Sequence, residues 1–195
     1  MPRPKLHDEV LRNRLLDAAG EFLNSEGPEA LSLRRLAAAA GTSTSAVYAL
    51  FGGKPGLLQA LSVEAFTRFA EHLDTVAPSD DPLADLLALI HAYRAGALAD
   101  PLCYAVMLTS PVPTPPGWAP AEATFTPLLN AVRRASAAGL LRDEDPTLIA
   151  TALWANAHGL VSLELGCLTP PQARTPAEVF EAAILATFTG WLASP

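Results

Sequence analysis

The sequence predicts an all-α protein, a three-helix head carrying a helix-turn-helix and a helical body behind it, and three observations carry that expectation. Apolar residues recur at helical spacing from segment to segment, and no stretch alternates as a strand would. Pro82, Pro101, Gly139, Pro146 and Pro176 punctuate the chain at the expected starts and ends of these segments. Residues 32–51 read as two short helices hinged at Gly41.

The first helix is amphipathic through Leu11, Leu15, Ala18, Ala19, Phe22 and Leu23, and Gly27-Pro28 closes it. In the second, Leu33, Leu36, Ala37 and Ala40 lie at i, i+3, i+4 and i+7, one buried stripe, with Arg34 and Arg35 turned to solvent. Gly41 supplies a turn residue for which positive φ is cheap. Ser43 is a good N-cap for the third helix. That helix turns Val47, Leu50 and Phe51 to the core and shows Thr44, Ser45 and Tyr48 on its other face.

A long helix from Lys54 to about Val76 should link head and body. Asp81-Pro82 pairs an N-cap with a proline at the first helical position and opens a helix to about Ala99. Pro101 starts a shorter one, and the five prolines between Pro111 and Pro120 make a loop. Helices resume at about Glu122 as far as Gly139, and from Asp145-Pro146 to about Gly166. Across a link at 169–175, Thr175-Pro176-Ala177-Glu178 forms a capping box for the last helix. The expected division is a head of 1–53 and a body of 54–195.

Charge divides the same way. Residues 1–60 hold seven Lys/Arg against six Asp/Glu, whereas the remaining 135 hold six against fourteen. A net charge of −7 argues against nucleic acid only if the asymmetry is ignored, since a basic end sits on an acidic body. The first turn of a recognition helix meets phosphates with its free N–H groups and base edges with small polar side chains. The hydroxyl face of the third helix suits that task, and Arg3 and Lys5 add basic groups nearby.

At these residues the sequence resembles the TetR family of bacterial transcriptional regulators. The resemblance covers about the first third of the chain. It rests on the first helix, Gly27-Pro28, Leu31-Ser32-Leu33-Arg34-Arg35-Leu36-Ala37, the turn Ala40-Gly41-Thr42-Ser43, Ala46-Val47-Tyr48 with Phe51, and Lys54 with Leu57. It implies that Ser32, Tyr48 and Lys54 touch the phosphate backbone and that Thr42, Ser43, Thr44 and Ser45 sit near base edges. The chain departs from many relatives at Thr44, where they carry a basic residue, at Ala49, where they have a histidine or second aromatic, and at Gly53, where they have a Ser or Asn cap. No side chain on this face can therefore make a bidentate contact to guanine or adenine.

A second resemblance lies at Trp154-Ala155-Asn156-Ala157-His158-Gly159, which is similar to the Trp-x-x-x-His-Gly signature of one subgroup of TetR C-terminal domains. The family implies a homodimer through the last two helices and an effector cavity in the body. Tyr93, Tyr104, Met107, Trp118, Phe125, Trp154 and His158 are the candidate lining, apolar with a few polar tips, and imply a lipophilic or aromatic effector. Gly159 in mid-helix suggests a close helix crossing or a partner's approach.

Other classes are disfavoured by what is missing. No window approaches the roughly 18 consecutive apolar residues of a membrane span, and the charged start is unlike a signal peptide, so a cytoplasmic protein without membrane partners is expected. Cys103 and Cys167 are too few for a disulfide framework or a metal site and read as small buried hydrophobes. A hydrolase using His158 or Cys103 would need a nucleophile with a base in reach. Neither a Gly-x-Ser-x-Gly elbow, metal-ligand spacing nor a phosphate loop occurs, and neither enzyme activity nor a cofactor is expected. The expectation is a homodimeric regulator, a repressor released from double-stranded operator DNA by an effector; the non-catalytic alternative is a helical binding protein whose head has lost DNA affinity.

Overall fold

The computed structural model describes residues 5–27, 31–109, 119–168 and 174–193, and among these there are nine α-helices and no strand. They are α1 Lys5–Glu26, α2 Leu33–Ala39, α3 Thr44–Phe51, α4 Lys54–Leu73, α5 Pro82–Ala99, α6 Pro101–Thr109, α7 Ala119–Ala137, α8 Pro146–Leu165 and α9 Pro176–Trp191. The long helix stops at Leu73, three residues short of the expected Val76. α7 starts at Ala119, ahead of the expected Glu122, because a proline such as Pro120 is tolerated in a helix's first turn, where no backbone donor is needed. The remainder of the expected proline loop lies outside the described residues.

The chain forms two compact units. One takes the described residues up to Phe66 together with α6 from Leu102; the other takes Thr67–Pro101 and the residues from Ala119 onward. In the first, Leu15, Leu16 and Ala19 of α1, Leu36 of α2, Val47 of α3 and Leu57 of α4 are almost wholly buried, with Leu102 and Val106 of α6 packed against them. Leu33, expected in the buried stripe, is only half-buried. Two glycines are required here. Gly41, at φ +63°, makes the turn between α2 and α3, in the left-handed region where a Cβ is costly. At Gly56 a Cβ would stand 1.8 Å from the Phe51 carbonyl oxygen, so only glycine lets α4 start against the end of α3.

In the second unit α8 lies against α5, α7 and α9, burying Ile149, Ala150, Leu153, Ala157 and Val161. Side chains start its helices as expected: Asp81 accepts from the Leu83 and Ala84 amides at 3.0 Å, Asp145 from Thr147 at 2.8 Å, and Thr175 with Glu178 completes the capping box. After α7 and α9 the chain makes an isolated bridge between Leu141 and Leu192, with the Arg142 amide donating to the Trp191 carbonyl at 2.9 Å. Gly96 of α5 closes on α4, for a Cβ there would meet His72 at 2.7 Å. Gly159, by contrast, has open space within 4 Å, so the close crossing expected there does not occur inside the chain.

Among the described residues only α8 is long and apolar enough to cross a membrane by length and composition, and its apolarity is divided between a core face and an exposed one. The cysteines part company. Cys103 is half-buried and donates to the Ala65 carbonyl at 3.5 Å, whereas Cys167, beyond the end of α8, is exposed at φ +52° and is not the buried hydrophobe expected.

Candidate nucleic-acid interface and body cavity

The recognition helix is built by its cap. Ser43 stands outside α3 with extended backbone, and its Oγ accepts from the Ala46 amide at 3.2 Å, closing the first turn. That bond turns the chain so that Val47 is fully buried while Tyr48 leaves 56% of its surface exposed. Gly52 ends the helix in the left-handed conformation. The Tyr48 ring lies 3.4 Å from where a Gly53 Cβ would sit, so the departure at Gly53 gives this tyrosine a backbone to rest on.

The other candidates of the head are arranged around this helix. Ser32 takes the N-cap position of α2, yet its side chain makes no capping bond and is exposed. Thr42 and Thr44 are half-buried and Ser43 and Ser45 exposed, while Lys54 opens α4. Arg3 lies outside the described residues, and of Lys5 only the backbone, the first residue of α1, is described.

The two arginines of α2 differ. Arg34 is exposed, but Arg35 is held by Glu26 through paired bonds of 2.7 and 2.5 Å and lies 4.8 Å over the Phe22 ring. The bidentate bond pulls the Glu26 carboxyl below its ordinary range and raises Arg35. Arg35 is thereby a tie between α1 and α2. Spacing alone could not separate it from its neighbour, because Glu26 is nine residues away on another helix.

In the second unit, Tyr93, Phe125 and Trp154 border one cavity of about 20 Å³, lined also by Leu89, Ile90 and Leu128. This is room for about one water. The aromatic rings are locked to one another: Phe125 meets Trp154 edge-on at 6.2 Å, Trp154 lies 5.8 Å from the His158 ring, and Phe69 meets Tyr93 edge-on at 5.1 Å. Tyr93 Oη and His158 Nδ1 are 3.1 Å apart. Burial lowers the His158 pKa, favouring the neutral ring.

The structure does not gather all seven candidates. Tyr104 and Met107 belong to α6 in the first unit, where each is buried, and neither borders this cavity. Trp118 lies outside the described residues. The reason is that α6, read from periodicity as one more helix of the body, packs its apolar side against the head core.

Sequence reading also missed a buried ionic cluster. Asp85, in the first turn of α5, is 5% exposed, and its carboxylate accepts from the Ser79 amide at 2.9 Å, the Ser79 hydroxyl at 2.7 Å and Arg134 Nη1 at 2.7 Å. Arg134 also donates to the Ser79 carbonyl. The Ser79 bonds, with Arg134 behind them, hold the Asp85 carboxyl below its ordinary value. Arg134, in the last turn of α7, ties that helix to the loop before α5. Asp85 and Arg134 are 49 residues apart, so no local signal could have paired them.

Comparison with known proteins places these features. Residues 86–187 match the model described as a Tetracyclin repressor-like C-terminal domain, and residues 15–61 match that of the bacterial regulatory proteins of the tetR family. The chain belongs to the TetR family. Over 110 residues this TetR protein is 31% identical to HTH-type transcriptional regulators of Mycobacterium bovis and Mycobacterium tuberculosis. The match covers 54% of this chain and 46% of theirs, so the chain spans about half the length of the curated relatives it matches. Among solved structures, a Rhodococcus protein described as of unknown function aligns over 94% of this chain and 96% of its own, at TM-score 0.81 and 29% identity. The TetR family transcriptional regulator PfmR from Thermus thermophilus shares the fold at TM-score 0.67 and 22% identity, over 90% of this chain and 97% of its own. The helix-turn-helix of this TetR chain lies within the matched residues 15–61, with a capped α3 and an exposed Tyr48.

Proposed function

We propose that this TetR protein is a transcriptional regulator, a repressor, whose residues 1–53 bind a double-stranded operator and whose residues 54–195 dimerise and answer to an effector. The observation that carries the DNA reading is the exposed Tyr48 on the hydroxyl face of a capped α3, because an aromatic that large has no core to fill there. Tyr48, Lys54 and Ser32 position the head on phosphates, Arg3 and Lys5 add charge, and Thr42, Ser43, Thr44 and Ser45 face base edges. Gel shift on the DNA upstream of the chain's own gene tests this. Tyr48→Ala and Lys54→Ala should weaken binding to every sequence alike, Thr44→Ala and Ser45→Ala should change the preference among operators, and affinity should fall steeply with salt. A chain indifferent to duplex DNA at low salt refutes the reading and leaves the helical binding protein in its place.

Dimerisation is assigned to α8 and α9. Leu148 and Leu163 of α8 and Leu185 of α9 leave 49%, 44% and 47% of their surfaces exposed, and Gly159 and Gly190 have open space where a partner helix can approach. Two heads joined in this way can meet successive major grooves roughly 34–36 Å apart. In the body, Tyr93, Phe125, Trp154 and His158 form the apolar part of the effector site, in a closed form that a ligand must widen. Release from DNA follows a population shift, with α4 carrying the change to the head.

A further inference from the structure

Beside the aromatic cavity the second unit holds a larger space. A cleft of about 590 Å³ lies between the end of α4, α5 and α7, and it shares Leu73, Leu89 and Pro127 with the aromatic cavity, so the two are contiguous. That volume is in the range of small-molecule sites, roughly 300–1,000 Å³. Pro127 lies inside α7 and leaves that helix without one backbone donor along this wall.

Three charged side chains line the cleft: Asp74, Asp85 and Arg134. Two of them answer each other. The Asp85 carboxylate is filled by Ser79 and Arg134, and both terminal nitrogens of Arg134 are turned to Asp85 and the Ser79 carbonyl. Asp74, exposed just past the last turn of α4, has no basic partner among the described residues. The charge left uncompensated in the cleft is therefore negative, on a chain whose net charge is −7. The remaining polar side chains, the Asn130 amide and the Thr126 hydroxyl, are neutral.

We propose that this cleft binds a cationic amphiphile, an alkyl- or arylammonium whose apolar part lies along Leu73, Leu89 and Pro127 toward the aromatic cavity and whose ammonium meets the Asp74 carboxylate. This rests on the reading that the body holds the effector, and it narrows the expected lipophilic or aromatic ligand to one with a positive head. An anionic amphiphile is disfavoured, because the only guanidinium in the cleft is already neutralised and hydrogen-bonded. Desolvation is modest at the exposed Asp74, so attraction there adds to affinity without a large burial cost.

The experiment compares three probes on one apolar scaffold, 6-phenylhexylammonium, 6-phenylhexanol and 6-phenylhexanoate, titrated calorimetrically into the full chain at low ionic strength. The amine should bind tightest and the carboxylate weakest. Asp74→Asn should bring the amine down about threefold to fivefold to the level of the alcohol and leave the alcohol unchanged. Leu89→Trp, with helicity checked by circular dichroism, should weaken all three by filling the cleft; Asp74→Asn sits on an exposed loop residue and decides the matter even if Leu89→Trp fails to fold. Equal affinities for the three probes, no binding of any, or an amine affinity untouched by Asp74→Asn overturns the proposal. Gel shift on the same preparation separates the two readings: a chain that binds DNA but none of the probes loses this proposal alone, and one that binds the amine but ignores DNA loses the regulator reading alone.

Discussion

Single side chains decide how charge is used in this protein. Arg35 and Arg34 are adjacent, yet Glu26 and Phe22 hold one while the other faces solvent. Arg34→Ala should therefore cost DNA affinity and reduce its salt slope, whereas Arg35→Ala should act through head stability, as read by chemical denaturation. Asp85 and His158 make stability depend on pH in the same sense for different reasons. The folded Asp85 carboxyl titrates below its ordinary value, so its contribution is complete above the unfolded pKa and is lost as acid reaches the folded one. His158 is also depressed, by burial, so the unfolded chain takes up a proton first and stability falls as pH drops below the ordinary histidine value near 6.5. Denaturation midpoints should decline from about pH 6.5 downward in wild type and less so in His158→Gln, and Asp85→Asn should flatten the further decline at strongly acid pH.

At the scale of the element, helix starts are local and helix junctions are not. Asp81, Asp145 and Thr175 cap α5, α8 and α9 through bonds to residues two or three positions on, so a reader of the sequence finds all three. Ser43→Ala removes the equivalent bond in α3 and should lower head stability by about 1 kcal/mol, measured by thermal melts. The α3–α4 junction is different, because the tolerance at Gly56 is set by the Phe51 carbonyl 1.8 Å from a would-be Cβ. Gly56→Ala is expected to cost about 1–3 kcal/mol and to weaken DNA binding by displacing α4 from α3. Gly159→Ala, with open space around it, should raise monomer stability by up to about 1 kcal/mol through helix propensity, and a loss of self-association would mark Gly159 as a point of partner approach.

For the whole molecule, the residues that make an interface are those the core does not use. Periodicity nominates Leu153, Leu160, Leu163, Val179, Ile184 and Phe188 as an apolar excess, but Leu153 and Ile184 are fully buried in their own unit and Phe188 nearly so. Leu185→Asp or Leu163→Asp should yield a folded monomer by sedimentation at micromolar concentration. Ile184→Asp should instead unfold the second unit, since it buries an unpaired charge. A Leu185→Asp chain that still sediments as a dimer removes α9 from the interface.

The sequence by itself determined what depends on near neighbours: nine helices and their caps, the glycine turn at Gly41, the outward Tyr48 and the family that these residues mark. Those features follow from backbone propensity and from bonds spanning two to four residues, which a linear reading contains. Only the tertiary structure decided where long-range partners meet. It carried α6 with Tyr104 and Met107 to the head core, joined Asp85 to Arg134 and Arg35 to Glu26, closed the aromatic cavity to about 20 Å³ and opened the cleft beside Asp74. Periodicity states that a residue is buried without stating against what, because every apolar neighbour satisfies the same transfer free energy; the choice among neighbours belongs to shape and to the pairing of buried charge.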